Sequence, residues 1–172
     1  EMLTRDWSSD VCSSDLVSRL DDVLAAANPR LLAISGGRYE LISSPDDGTS
    51  SRKSGLGLRI VDHFTEQTRS PQTLSGGETF YTSLALALGL ADVVTAEAGG
   101  VELRTVFIDE GFGSLDAATL DLVMGQLHSL KDSGRVVGVI SHVDEMARQI
   151  PDQIQVRLAP EGGSTLRCRG AM

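Results

Sequence analysis

The chain is short of positive charge: 15 Lys and Arg stand against 24 Asp and Glu, a net charge of −9. Neutralising nucleic-acid phosphates takes clustered basic residues, so this surface alone is excluded as a nucleic-acid platform, and any DNA contact has to run through further parts or partners. Cysteine is nearly absent. Cys12 and Cys168 have neither metal-ligand spacing nor a disulfide framework, and nothing in them points to an oxidising compartment. No unbroken apolar run reaches the roughly 20 residues that cross a bilayer, so no membrane partner is expected. What remains, 41% hydrophobic and 23% charged among 172 residues, is ordinary globular composition with room for one domain. It sets the expectation of a soluble cytoplasmic protein.

The opening, "EMLTRDWSSDVCSSDL", lacks apolar periodicity, repeats Ser-Ser-Asp at 8–10 and 13–15, and holds the only tryptophan, Trp7. Asp6 to Leu16 looks like a translated short-read sequencing adapter, with Glu1 to Arg5 compatible with its index region. Residues 1–16 are therefore set aside as an expected artefact, as an expression tag would be. On this reading the gene continues upstream of Val17 and the chain is a C-terminal fragment.

From Val17 to Ala27 the apolar positions follow helical spacing. Pro29 is expected to open a second short helix through Ile34, and Gly36-Gly37 to end it. "RYELISS" (38–44) and "LGLRIVDHF" (56–64) read as a hairpin of strands around a polar loop at 45–55. That loop contains Lys53-Ser54, but after Arg52 where a phosphate-binding loop needs glycine, with no strand before it and no helix after it. It reads as a solvated hairpin tip. A helix to about Ala96 follows, apolar nearly all round and so expected to be buried on several sides. Next come a buried strand at 104–109, a helix from Asp116 to Asp132, a buried strand at 136–141, a short helix at 144–150 and a terminal hairpin around Gly162-Gly163. Alternating strands and helices predict an α/β fold built on a parallel sheet with helical crossovers and small β hairpins.

Four short motifs carry chemistry. "LSGGE" sets Ser75, Gly76, Gly77 and Glu78 at a helix start. Its plain reading is a capping box; its sharper one is a phosphate cradle of free amides, close-approach glycines and a helix dipole. "TVFIDE" ends an apolar strand in Asp109 and Glu110, where open α/β sheets hold their ligands. Asp109 suits a magnesium ion held through water, and Glu110 suits polarising an attacking water; an acidic turn is the plain reading. "GSLD" brings Asp116, by itself an N-cap. "ISHV" ends another apolar strand with His142, which as a neutral imidazole could donate one hydrogen bond to a phosphate oxygen. His63 and His128 receive no role. Each motif alone has a structural reading, but their order along the chain is restrictive.

Together these motifs resemble the ABC-type ATPase family: "LSGGE" its signature, "TVFIDE" its Walker B, "GSLD" its D-loop and "ISHV" its H-loop, over Thr73 to Val143. Within it, "LSGGETFYTSLALALGLADVV", "DEGFGSLD" and "GVISHVDEM" are most similar to the C-terminal ATPase half of the SbcC-type exonuclease subunit. With the weaker "NPRLLAISGGRYEL", that resemblance extends over nearly all of Val17 to Met172. It implies ATP and Mg2+ as cofactors, a P-loop (Walker A) half encoded N-terminally and absent here, and a homodimer of heads. Ser75, Gly76, Gly77 and Glu78 would bind ATP in trans, Asp109 would hold the metal, Glu110 and His142 would act in catalysis, and Asp116 would couple the two sites. It further implies an SbcD-type nuclease partner and DNA reached through that complex. Residues 17–35 would be the end of a coiled-coil arm with its short helix, and 36–172 the C-terminal lobe of the head. The rival readings are an SMC-like chromosome ATPase or another ABC machine, and a non-catalytic interaction module.

Overall fold

The structure, a computed structural model, describes residues 9–43, 57–98 and 104–170, with side chains from Ser18 onward. The loop at 45–55, and with it the hairpin tip holding Lys53, lies outside the described residues.

The first described element is one helix, α1, Ser9–Ile34, where two were expected. Pro29 sits inside it, although proline gives up an amide and crowds the preceding turn. The apolar stripe decides the matter: Val23, Leu24 and Ala27 before the proline and Leu31 and Ile34 after it are all buried, so tertiary packing holds both segments on one axis. Asn28 adds to this by donating to the Leu41 carbonyl and accepting from the Leu41 amide, both at 2.9 Å, which pins the helix to the next strand. Gly36 and Gly37, in the left-handed region at φ 62° and 82°, then end the helix as expected.

Strands β1 (Tyr39–Ser43) and β2 (Leu58–Asp62) form the expected antiparallel pair, with Leu41 opposite Ile60. A third strand, β3 (Gln67–Arg69), joins β2; three polar residues carry no alternation that would announce it. Helix α2, Gly76–Glu97, follows. By length and composition it could cross a membrane, since averaging over the helix tolerates the Thr, Gly and Asp that interrupt any unbroken apolar run. It is instead the central helix of the fold. Tyr81, Leu84, Ala85 and Leu88 are buried, and α1 covers that face. Leu90 and Val94 stay exposed, so burial is one-sided and not all round as its composition predicted.

Strand β4 (Thr105–Asp109), helix α3 (Ala117–Asp132) and strand β5 (Val136–Ile140) form a crossover unit whose two strands pair in parallel, Phe107 opposite Gly138. α4 (Asp144–Gln149) and the antiparallel hairpin β6 (Gln153–Leu158) and β7 (Ser164–Arg169) complete the chain. One core, including Leu31, Tyr39, Ile60, Leu88, Phe112, Val123 and Met146, joins helices and sheets. Each large apolar side chain fully buried there stabilises by about 1.5–3 kcal/mol. Strands β4 and β5 differ from expectation. They present Phe107, Val136 and Ile140 to solvent, because among the described residues no further strand or helix covers that side.

Candidate functional site

Helix α2 begins at a complete capping box: the Glu78 amide donates to Ser75 Oγ at 3.3 Å and the Ser75 amide to Glu78 Oε2 at 2.8 Å. The serine oxygen is engaged as an acceptor, which leaves its own hydrogen to point elsewhere. Burial pushes the Glu78 carboxyl up, but the Ser75 amide, the Tyr39 hydroxyl and Arg38 outweigh it and hold the group below the usual carboxylate range. Glu78 therefore stays charged beside the positive end of α2. Gly77 is required by close packing, since a Cβ there would sit 2.9 Å from the Ser114 carbonyl oxygen.

That carbonyl belongs to the 3-10 turn at Phe112–Ser114, which leads out of β4. Between strand and turn, Glu110 and Gly111 both take positive φ, 59° and 97°. Glu110 still donates its amide to the Ile140 carbonyl at 2.9 Å, so the ladder reaches one residue past β4 before the backbone swings aside. The swing brings Glu110 Oε2 to 2.9 Å from His142 Nδ1. A carboxylate only accepts, so Nδ1–H donates, and in a neutral ring Nε2 is then an acceptor. The single proton that the sequence reading offered to phosphate is thus given to Glu110. To donate to a phosphate oxygen as well, the ring must release Glu110 or take a second proton. Both side chains are open to solvent, His142 78% and Glu110 53% exposed. A Cβ at Gly113 would stand 3.6 Å from His142 Nε2, so the turn runs directly beneath the imidazole.

Asp116 caps α3, accepting from the Thr119 amide at 2.8 Å and the Thr119 hydroxyl at 3.0 Å, which together hold its carboxyl below the usual range. Asp109 is exposed at the end of β4. Among the described residues no three His, Cys, Asp or Glu side chains gather into a metal cage. A lone carboxylate at a strand end fits Mg2+, which keeps its waters and draws further oxygens from phosphates.

The structure thus brings Glu110 and His142 into direct contact. It joins Gly76 and Gly77 to the same turn through Ser114, and leaves Asp116 engaged with its own helix. Sequence reasoning missed Phe80, whose ring occupies the space a Gly111 side chain would need and meets Phe112 edge-on at 4.8 Å. It also missed Tyr39, Arg38, Arg69 and Asp62, which meet behind Glu78. An aromatic one turn into a helix carries no such signal, and a cluster drawn from three strands has no spacing to read.

Residues 58–129 match the family described as SbcC/RAD50-like, Walker B motif. A Vibrio cholerae relative, the SbcC subunit of the nuclease SbcCD, is 49% identical over 86% of this chain. The Staphylococcus aureus protein of that name is 45% identical over 83% of it. The chain spans 14% of the length of either relative. A solved structure described as ATP-driven dimerization and DNA stimulated activation of SMC ATPases superposes with a TM-score of 0.69 at 16% identity, over 91% of this chain and 88% of that one. That likeness is one of fold, the ABC-type head of SMC ATPases. The chain belongs to the SbcC family, whose Walker B motif residues 58–129 match.

Proposed function

We propose that this chain is the C-terminal part of an ATP-hydrolysing DNA-repair subunit that dimerises on ATP and gates an SbcD-type nuclease at DNA ends in the cytoplasm. The observation that supports it most is the unbroken row from Gly77 through Ser114 and Gly113 to the His142–Glu110 pair, an amide-rich helix start and a paired carboxylate on either side of one short turn. In this reading Ser75, Gly76 and Gly77 clamp the γ-phosphate of a nucleotide carried by the facing head. Glu110 polarises the attacking water, held in place by His142, and Asp116 couples the two sites across the interface. Asp109 would hold Mg2+, which would supply charge that neutralises the phosphates.

The sequence has no GxxxxGK[ST] run, so a Walker A half must supply the phosphate-binding lysine, and this stretch by itself is expected to be inactive. The open apolar side of β4 and β5 supports such a covering half. The test is Glu110→Gln in a head reconstituted with its Walker A half. General-base removal is expected to slow hydrolysis by about a hundredfold or more while an ATP-bound dimer accumulates. Unchanged turnover would overturn the role of Glu110.

A further inference from the structure

The signature serine is anchored to the antiparallel sheet by a partly buried polar relay. Glu78 gives one oxygen, Oε2, to the Ser75 amide at 2.8 Å, and a capping box needs no more than that. Its other oxygen, Oε1, accepts from the Tyr39 hydroxyl at 2.7 Å. Tyr39 is 1% exposed on β1, and its oxygen in turn accepts from Arg69 Nη2 at 2.7 Å. Arg69 and Arg38 both close on Asp62, at 3.3 and 2.9 Å, and Asp62 is itself 1% exposed. Two guanidinium groups face two carboxylates, so the relay carries no net charge, which is the condition for keeping it inside.

The second bond of Glu78 is surplus to the helix start. Its effect is to fix the rotamer of the side chain that accepts from the Ser75 amide, while the Glu78 amide donates to Ser75 Oγ. We propose that Tyr39 is a positioning residue for the signature serine, setting, through Glu78, the direction from which Ser75 meets a phosphate on the facing head. This rests on the function proposed above. Asp62 with Arg38 and Arg69 forms the fixed end of the relay: Arg38 donates from both Nε and Nη2, and the Phe64 amide adds a bond at 3.1 Å. The signature start is thus referenced to β1, β2 and β3, while Glu110 and His142 hang from β4 and β5.

Tyr39→Phe removes one oxygen and keeps the ring and its packing. It is tested in the full-length protein, which includes the Walker A half, beside Ser75→Ala, by three readouts: binding of a fluorescent ATP analogue to the single head, ATP-driven head dimerisation, and kcat. A hydrogen bond to a charged group is lost, so dimerisation and kcat are expected to fall about tenfold. Nucleotide affinity of the single head stays within about twofold, because the signature does not touch the nucleotide bound to its own head. Adding Glu78→Gln to Tyr39→Phe gives no further tenfold loss, since both cut the same relay. A merely structural tyrosine would weaken nucleotide binding and dimerisation together, or combine additively with Glu78→Gln, and either result overturns the proposal, as does wild-type dimerisation by Tyr39→Phe. If Ser75→Ala fails to impair dimerisation, the signature reading itself falls and the relay with it. If only Tyr39→Phe is silent, the relay alone is wrong.

Discussion

Glu110 pairs with His142 only because its backbone leaves the strand in a conformation that side chains other than glycine rarely adopt. A residue held there costs of order 1–3 kcal/mol, and the surroundings must over-determine it. Gly111 and Phe80 do so: the ring of Phe80 lies where a Gly111 Cβ would be, so the turn closes against the first turns of α2. Gly111→Ala therefore meets both a forbidden φ of 97° and an occupied space. It should destabilise the fold by about 2 kcal/mol or more, read as a drop in melting temperature of several degrees. In a reconstituted head it should also slow hydrolysis, because the Glu110 carboxylate is re-aimed. An alanine variant with unchanged melting and turnover would show that the turn tolerates another path.

Among the elements, α1 and α2 meet backbone to backbone. A Cβ on Gly89 would stand 2.8 Å from both the Ala27 nitrogen and the Val23 carbonyl oxygen. Replacing an interior helix glycine by alanine ordinarily gains about 1 kcal/mol. Here the added methyl meets main chain that cannot step aside, and overpacking of that kind costs about 1–3 kcal/mol. Gly89→Ala should thus lower the denaturation midpoint; a raised midpoint would mean that the helices part freely. The same pair of helices shows what the sequence discloses and what it withholds. The start of α2 was legible from Ser75 and Glu78, and the start of α3 from Asp116, because caps are local chemistry. The continuity of α1 through Pro29 was not, since it depends on Leu31 and Ile34 finding the core, and the core is assembled from distant segments. β3 escaped notice for a like reason: Gln67, Thr68 and Arg69 become a strand by pairing with β2, not by pattern. Glu110 and His142 were legible as strand ends, whereas their contact, and the convergence of Tyr39, Arg69 and Asp62 on Glu78, exist only in three dimensions.

At the scale of the whole molecule, strands whose composition predicted burial turn one face outward. Phe107 is 73% exposed and lies across Gly138 on the neighbouring strand, with Val136 and Ile140 beside it. β6 and β7 add Ile154, Leu158 and Leu166 to the apolar surface. Exposed apolar side chains grouped on one face of β4 and β5 fit an interface. Phe107→Ser should shift the stability of this chain by no more than about 0.5 kcal/mol, since little of the ring is buried. It should nonetheless weaken association with a separately expressed Walker A half in a titration of the two. Equal association by wild type and variant would place the covering half elsewhere. Arg30 and Arg135 share Asp92, at 2.7 and 2.8 Å, and so clamp α1 and the strand leading to His142 onto one point of α2. Ser75 is referenced to one sheet and the Glu110–His142 pair to another, with α2 as the bar between them. The two scales of a caliper stand in the same relation. A small slide of one sheet against the other would leave every strand and helix intact and still put the jaws out of true, so on the function proposed above hydrolysis would be lost with no unfolding to announce it.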